Sequence, residues 1–317
     1  MLPDRRATPR LPGEDPSEPT DSVDSFLREA AAISEPGAVE APPDGRLVPG
    51  EIVGERFRIE RLAGTGGMGA VYRAEDLAMG GQVAVKVMGT HHTSGGERFQ
   101  REGAVLAGLA HPCVVRYVAH GLTLRGSPFL AMDWLDGEDL YHRLVRSSLD
   151  ARESFAVARR VCEGLIVAHG RGIVHRDIKP SNLFLVGGDA AATKIIDFGV
   201  ARFEPGSTTL TRPGTSLGTA GYMAPEQAIE AADVDARADL FALGCVLYEC
   251  LTGRPAFGGR PAAVLVKVLR DHPPRPSELQ PGLTEAADAL VARLLSKDRE
   301  ARYQSAAEVL SALDAIF

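Results

Sequence analysis

Apolar and polar residues alternate along the chain from residue 57 onwards, in the pattern of a strand that buries one face. Residues 57–62 show this alternation, a run of glycines interrupts it, and residues 70–74 resume it. Residues 82–87 repeat the pattern after a turn at Gly80 and Gly81. The sequence therefore predicts a β-hairpin with a glycine-rich tip, followed by a further strand.

The next part of the chain mixes helical and strand patterns. A helix is predicted over 97–109, ending before His111-Pro112, and two more strands are expected at 114–119 and 129–132. Beyond Asp150 the pattern is mostly helical. The predicted fold class is therefore α+β, with a small β-rich lobe, a connection near 133–137 and a larger, mainly helical lobe.

Residues 1–50 differ in composition from the rest of the chain. They hold nine of the 21 prolines and one aromatic residue, Phe26. Such a segment buries too little apolar area to offset chain entropy, so a disordered tail is predicted for 1–50 and a folded domain for 51–317. Apolar residues between 21 and 33 nevertheless fall near one face of a helix. They form either a docking segment for the domain or a partner, or a transient helix without a role.

Charge and cysteine content argue against several classes of protein. The net charge is −7, and the first 50 residues hold ten acidic against five basic residues. Without a basic surplus, no nucleic-acid partner is expected. The four cysteines have neither metal-ligand spacing nor a small secreted framework, which predicts reduced thiols. The start of the chain lacks the apolar run of a signal peptide, and the longest apolar stretch, 240–248, is too short for a bilayer. We therefore expect a cytoplasmic protein with no membrane segment in this chain.

The densest chemistry lies at residues 175–182, His-Arg-Asp-Ile-Lys-Pro-Ser-Asn, and Asp197-Phe198-Gly199 begins fifteen residues after Asn182. Asp177 can accept the proton of an attacking hydroxyl, and Lys179 can lie against a phosphoryl group. Asn182 and Asp197 supply the hard oxygen atoms that magnesium prefers. A base, a cation and two metal ligands at this spacing predict a phosphoryl-transfer site.

At these residues the chain resembles the eukaryotic-like, bacterial-type protein kinases. A lysine at position 179 is similar to the serine/threonine branch of that family, because tyrosine kinases usually lack it. The resemblance covers about 57–317 and implies a bilobal protein-kinase-like fold with an N-lobe at 57–132, a hinge at 133–137 and a C-lobe at 138–317. It also implies an ATP:protein phosphotransferase that uses ATP and Mg²⁺ and acts in signalling. Its partners would be protein substrates with serine or threonine acceptors.

Three glycines lie at the tip of the predicted hairpin in the pattern Gly-x-Gly-x-x-Gly: Gly64, Gly66 and Gly69. Without side chains the backbone can approach phosphates closely, so its N–H groups can cover them. A dinucleotide-binding fold uses similar glycines but continues into a helix, whereas another strand follows here. The pattern therefore predicts the phosphate-covering loop of a kinase.

Resemblance to the kinases also implies the residues around the base and ribose of ATP. Val71 and Ala84 would lie against one side of the adenine, and Phe184 would lie on the other. Met132 would be the gatekeeper, and Trp134 would lie in the hinge whose backbone bonds the base. Asp139 would contact the ribose. Core packing is the alternative role for the apolar members of this set, and it is compatible with contact to a ligand.

Lys86 follows three apolar residues on a predicted strand, where a lysine is seldom buried unless it is paired. Phosphate oxygens and Glu102 are the expected partners. Glu97 is the competing candidate, but Glu102 lies nine residues before His111, which matches the kinase helix that supplies this glutamate.

Residues 197–226 resemble the kinase activation segment, which closes with Ala-Pro-Glu at 224–226. The resemblance implies that Thr219 bonds Asp177 and Lys179, as suits a serine or threonine acceptor. Two structural roles are implied as well. Asp239 would brace the catalytic loop, and Arg302 would pair with the glutamate that ends the segment, Glu226.

The interior of this segment is rich in serine and threonine. A phosphothreonine can pair with arginine and order a loop. Autophosphorylation of Thr211 or Thr215, held by Arg176, is therefore a hypothesis, and a dimer would allow it to proceed in trans. The alternative is a solvated loop without modification.

Two other functions compete with an active protein kinase. A pseudokinase would bind nucleotide as a scaffold without turnover, but such proteins commonly lack a member of the catalytic set. The set is complete here: Lys86, Glu102, Asp177, Asn182 and Asp197. A small-molecule phosphotransferase of related fold is less favoured, because residues 218–226 resemble a peptide-binding platform and Lys179 is present.

Overall fold

The computed structural model describes residues 46–66, 69–88, 107–198, 219–229, 231 and 233–316, and these residues belong to a single unit. Several sequence predictions lie outside the described residues. They are the tail up to residue 45, most of the helix at 97–109 with Glu97 and Glu102, and the candidate phosphorylation sites Thr211 and Thr215.

The smaller lobe contains a six-stranded antiparallel sheet. Its strands are β1 Ile52–Val53, β2 Phe57–Gly66, β3 Gly69–Asp76, β4 Gln82–Met88, β5 Tyr117–Leu122 and β6 Pro128–Asp133. Their order in the sheet is β1-β2-β3-β4-β6-β5. The strands predicted at 57–62, 70–74, 82–87 and 129–132 are confirmed. The strand expected at 114–119 begins three residues later, because Val114 instead forms an isolated bridge with Ile195 of the larger lobe.

Alternate residues of these strands form the core of the smaller lobe, as the two-residue period requires. Phe57 and Ile59 of β2 and Val83 and Val85 of β4 are buried in one cluster. Phe129 packs edge-on against Phe57, with ring centroids 5.9 Å apart.

Residues 46–50, the last five of the predicted tail, are folded against this sheet. Leu47 is buried in the same cluster, and its N–H donates to the Tyr72 hydroxyl at 3.1 Å. The Gly50 N–H donates to the Ile59 carbonyl at 2.8 Å. The folded part of the chain therefore extends at least to residue 46.

An ion pair between the partly exposed Arg56 and the buried Asp76 joins the two ends of the β2–β3 hairpin. The Arg56 guanidinium donates to both carboxylate oxygens of Asp76 at 2.8 and 2.7 Å, and the Ala78 and Met79 N–H groups donate to the same carboxylate. Hydrogen bonding by Arg56 lowers the pKa of Asp76 to about 2.

We expect Arg56→Met to lower the free energy of unfolding at pH 7 by about 2 kcal/mol, because it leaves the Asp76 carboxylate buried without its cation. The folded-state pKa of Asp76 is depressed, so the pair stabilises the fold above the unfolded value near 4 and loses its effect as pH falls towards 2. Denaturant unfolding of both proteins across this range measures the difference. A difference that stays constant down to pH 2 would contradict the assignment.

The larger lobe combines a three-stranded sheet with the helices. The strands are β7 Gly137–Asp139, β8 Leu183–Val186 and β9 Thr193–Ile195, in that order. Within the described residues the helices are α1 Leu140–Arg146, α2 Ala151–His169, α3 Pro225–Ala228, α4 Arg237–Thr252, α5 Pro261–Arg270, α6 Pro276–Leu279, α7 Glu285–Leu294 and α8 Ala306–Asp314. None of these helices has both the length and the apolar composition that crossing a bilayer requires.

The helix α4 lies at the centre of the larger lobe. Thirteen of its sixteen residues are buried, which is why its sequence shows little one-sided periodicity. A Cβ on Gly244 would come within 2.7 Å of Leu294 Cβ, so α4 and α7 approach as closely as glycine permits. This packing makes α4 a rigid support for whatever its side chains hold.

Candidate active site

The catalytic-loop segment is held by a carboxylate of the buried helix α4. Asp239 accepts the His175 N–H at 2.8 Å and the Arg176 N–H at 2.7 Å. His169 at the end of α2 lies 2.9 Å from the same carboxylate through Nε2. The bracing role predicted for Asp239 is therefore confirmed by its hydrogen bonds.

Two residues of this region have left-handed backbone geometry that is uncommon for side chains larger than glycine. Arg176 has φ 62° and Asp197 has φ 58°. Such conformations persist where the surrounding structure enforces them, and they cluster at functional sites. The hydrogen bonds from the His175 and Arg176 N–H groups to Asp239 hold Arg176 in this conformation. They thereby fix the backbone directly before Asp177.

Asp177 is surrounded by the polar residues that the sequence placed with it. Lys179 Nζ lies 3.0 Å from Asp177 Oδ2. The Asn182 amide nitrogen donates to the Asp177 carbonyl at 2.8 Å and to its carboxylate at 3.2 Å. Both bonds use the nitrogen of Asn182, so the oxygen that a metal ion would need is not spent on them.

Asp197 is brought beside Asn182 by the backbone. The Ile196 N–H donates to the Asn182 carbonyl at 2.9 Å, directly before Asp197. The next residue, Phe198, is buried against the His175 ring with centroids 4.6 Å apart. Burial lowers the pKa of His175, which favours the neutral form of this ring. The two predicted metal ligands therefore flank paired strands of the small sheet, Asn182 just before β8 and Asp197 just after β9.

Lys86 reaches this cluster from the smaller lobe. Its ammonium forms an ion pair and hydrogen bond with Asp197 Oδ2, across 111 positions of sequence. The sequence prediction paired Lys86 with Glu102, which lies outside the described residues. The contact with Asp197 was not foreseen, because no local pattern links a strand lysine to a loop so distant in the chain.

Strand register places the predicted adenine-side residues on one face of the small-lobe sheet. Val71 is the direct partner of Lys86, and Ala84 is the direct partner of Met132. Residues opposite each other in an antiparallel pair point to the same face, as do residues two apart on a strand. This face is therefore opposite to the one on which Val85 enters the small-lobe core.

The glycine-rich hairpin has a geometry that requires glycine at one position. Gly64 pairs with Val71, and Gly66 pairs with Gly69 next to the tip. Gly69 has φ +144°, and a Cβ there would lie 2.0 Å from the Val87 carbonyl oxygen. A side chain would therefore separate β3 from β4 next to the tip of the hairpin.

The hinge residues have contacts of their own. Trp134 is half-buried, and its indole N–H donates to Asp136 at 2.9 Å. Asp139 caps helix α1 by accepting the His142 N–H at 2.9 Å. Phe184 lies in β8 as the direct partner of Asp139. A ribose contact by Asp139 would therefore share a carboxylate already used as a helix cap.

The end of the activation segment is attached to the larger lobe by one buried ion pair and one partly buried hydrogen bond. Arg302 donates to both Glu226 oxygens at 2.7 Å, which confirms the predicted pair. The Tyr222 hydroxyl donates to Glu249, a pair that the sequence analysis missed. Burial raises the pKa of the Glu249 carboxyl. Thr219 begins the short 3₁₀ turn that ends at Tyr222, and the Thr219 side chain lies outside the described part of the chain.

Comparison with known proteins identifies the class to which this fold and site belong. A family model described as protein kinase domain matches residues 57–312. The serine/threonine-protein kinase Pkn1 of Myxococcus xanthus is 41% identical over 264 residues, which cover 81% of this chain and 38% of the relative. Serine/threonine-protein kinase PknB of Mycobacterium leprae is 36% identical over 265 residues, covering 80% and 42%.

Solved structures give the same result. The crystal structure of the PknI kinase domain of Mycobacterium tuberculosis matches with a TM-score of 0.69 at 28% identity, covering 86% of this chain and all of that domain. The chain belongs to the protein kinase family, and its curated relatives are serine/threonine-protein kinases. The predicted bilobal kinase fold is thereby confirmed. The chain spans about two fifths of the length of those curated relatives.

Proposed function

We propose that this domain transfers the γ-phosphate of Mg·ATP to serine or threonine hydroxyls of protein substrates. The observation that carries the proposal is the convergence of Asp177, Asn182 and Asp197, joined by Lys86 from the other lobe. These residues can provide the base, the metal ligands and the phosphate-binding cation of phosphoryl transfer. The serine/threonine specificity in the names of the curated relatives supports the acceptor class.

Each residue has a role that follows from its atoms. Asp177 would accept the proton of the acceptor hydroxyl, and the nearby Lys179 ammonium would stabilise negative charge on the transferring group. Asn182 and Asp197 would hold Mg²⁺, which neutralises charge on the β- and γ-phosphates when bound. Lys86 would exchange its contact with Asp197 for contacts with phosphate oxygens.

Regulation by autophosphorylation is part of the proposal. The candidate acceptors remain Thr211 and Thr215, and the cation proposed to hold the phosphate is Arg176. Its backbone is fixed by Asp239, and its guanidinium donates to the Val234 carbonyl at 3.3 Å. A fixed arginine beside the catalytic aspartate could order the segment once phosphate arrives. A dimer would carry out this reaction in trans.

We expect purified protein incubated with Mg·ATP to gain whole phosphoryl groups, measured by intact-mass spectrometry. Removal of divalent metal by a chelator should abolish the gain, because Asn182 and Asp197 can use a metal but cannot replace it. Peptide mapping should place phosphate within 199–218. Transfer to a generic protein substrate should follow the same metal dependence.

The alternative function predicts a different result from the same samples. A pseudokinase would bind Mg·ATP, shown by calorimetry, without transferring phosphate to itself or to any protein offered. That outcome would overturn the transferase proposal and favour a nucleotide-binding scaffold. Phosphate gained outside 199–218 would retain the transferase and reject the proposed switch.

A further inference from the structure

Two arginines of the glycine-rich hairpin contact the indole of the hinge residue Trp134. Trp134 lies in the connection between β6 and β7, and it is the single tryptophan of the chain. The guanidinium carbons of Arg61 and Arg73 each lie 5.5 Å from the centroid of the indole. Cations at this distance from an aromatic ring are attracted by its quadrupole, most strongly for tryptophan. Two strands of the glycine-rich hairpin are thereby joined to the hinge.

A β-bulge in β2 creates this arrangement. The register shifts between Ile59 and Arg61, so that Ile59 pairs with Ala74 and Arg61 pairs with Arg73. A regular ladder would have set Arg61 opposite Tyr72, whose side chain is buried in the small-lobe core. The extra residue in β2 turns Arg61 away from the core, to the face of the sheet that carries Arg73 and Ala84, where its side chain is exposed.

The resulting pairing of like charges is unfavourable by itself. Arginines directly opposite each other on neighbouring strands repel, and β-bulges are enriched beside functional sites. Two groups offset the repulsion here. Glu60, the residue added by the bulge, lies 2.9 Å from Arg73 Nε, and the face of Trp134 attracts both guanidinium groups. The indole N–H is held in turn by Asp136.

We propose that Arg61, Arg73 and Trp134 form a clasp that holds the glycine-rich hairpin at a set angle to the hinge and thereby sets the affinity of the domain for nucleotide. The two arginines lie only a few residues before Gly64 and after Gly69, so the clasp acts at the base of the loop. They are positioning residues, because they act through the loop. The nucleotide part of this inference rests on the proposed function, whereas the mechanical part does not.

The matched variants are Arg61→Gln and Arg58→Gln. Both remove one arginine from β2, but Arg58 is paired with Glu75 on the exposed surface, whereas Arg61 contacts the indole. Arg61→Gln is expected to weaken Mg·ADP binding, measured by calorimetry, about two- to fivefold. Arg58→Gln is expected to bind Mg·ADP as the wild type does. KM for ATP should rise by the same factor while kcat changes less than about twofold. Arg61→Lys should restore part of the loss, because it keeps the cation.

Two readouts test the clasp without catalysis. Hydrogen exchange of the hairpin amides between 61 and 73 should accelerate several-fold in Arg61→Gln and not in Arg58→Gln. Emission of the single tryptophan should shift in Arg61→Gln alone. In a double-mutant cycle for nucleotide affinity, Arg61→Gln should add little once Trp134→Leu is present.

Equal effects of the two arginine variants, or additive effects of Arg61→Gln and Trp134→Leu, would overturn the clasp. Faster exchange without any loss of nucleotide affinity would overturn its role in binding. If wild-type protein bound no nucleotide, the proposed function would fail, and hydrogen exchange would still decide whether the clasp holds the hairpin.

Discussion

Asp177→Asn is expected to lower kcat for phosphoryl transfer by about 10²- to 10⁴-fold, the range for loss of a positioned general base. An amide cannot accept the proton of the acceptor hydroxyl, although it has nearly the shape of the carboxylate. The Asn182 amide would keep its bond to the residue 177 carbonyl, so the loop should remain in place. Steady-state transfer to a protein substrate measures the effect.

The control for this variant is binding. Affinity for Mg·ADP should stay within about threefold of wild type, because the proposed metal and phosphate contacts come from Asn182, Asp197 and Lys86. Unchanged melting would show that the fold is intact. A kcat within tenfold of wild type would remove Asp177 from the role of base.

Arg302→Met is expected to cost about 3–5 kcal/mol in the free energy of unfolding, the range for breaking one side of a buried ion pair. The Arg302 side chain is fully buried, and its guanidinium donates to Glu226 and to the carbonyls of Ser296, Arg237 and Lys297. The substitution leaves the Glu226 carboxylate buried without a cation. Denaturant unfolding, monitored by circular dichroism, measures the loss.

Two further proteins make this prediction specific. Arg299→Met removes an arginine from the same segment, but its pair with Asp233 is on the surface, so its unfolding should remain close to that of wild type. Adding Glu226→Leu to Arg302→Met should recover part of the loss, because no buried charge then lacks a partner. Similar losses in both arginine variants would contradict a special role for the buried pair.

Short-range patterns were sufficient for much of the fold. The strand at 82–87 follows from local alternation, and that at 129–132 lies in a short apolar run. The loop 175–182 was recognised because its chemistry lies within eight consecutive residues. The pair of Arg302 with Glu226 came from resemblance to the kinases, since 76 positions separate the two. Contacts between distant segments without such a guide, such as Lys86 with Asp197, could not be predicted because they depend on how the lobes meet.

The bulge in β2 shows how a pattern can be misread. The run from 57 to 62 was interpreted as simple alternation, yet its apolar residues are Phe57, Ile59 and Leu62, so the two-residue period already slips after Ile59. The structure places the irregularity at that point, with Leu62 returning to the inner face opposite Tyr72. One slipped position decides on which face Arg61 emerges, because a shift of one residue reverses every side chain beyond it.

The attachment of the catalytic loop to Asp239 separates the domain into a rigid catalytic part and a movable nucleotide-binding part. The N–H groups of His175 and Arg176 donate to a carboxylate of α4, a helix with thirteen of its sixteen residues buried, so the loop shares the rigidity of the large-lobe interior. Any rocking of the smaller lobe must then carry Lys86 and the glycine-rich hairpin towards or away from a stationary base. The catalytic base would thus keep a fixed position, and the alignment of the reacting groups would be adjusted by movement of the nucleotide-binding residues.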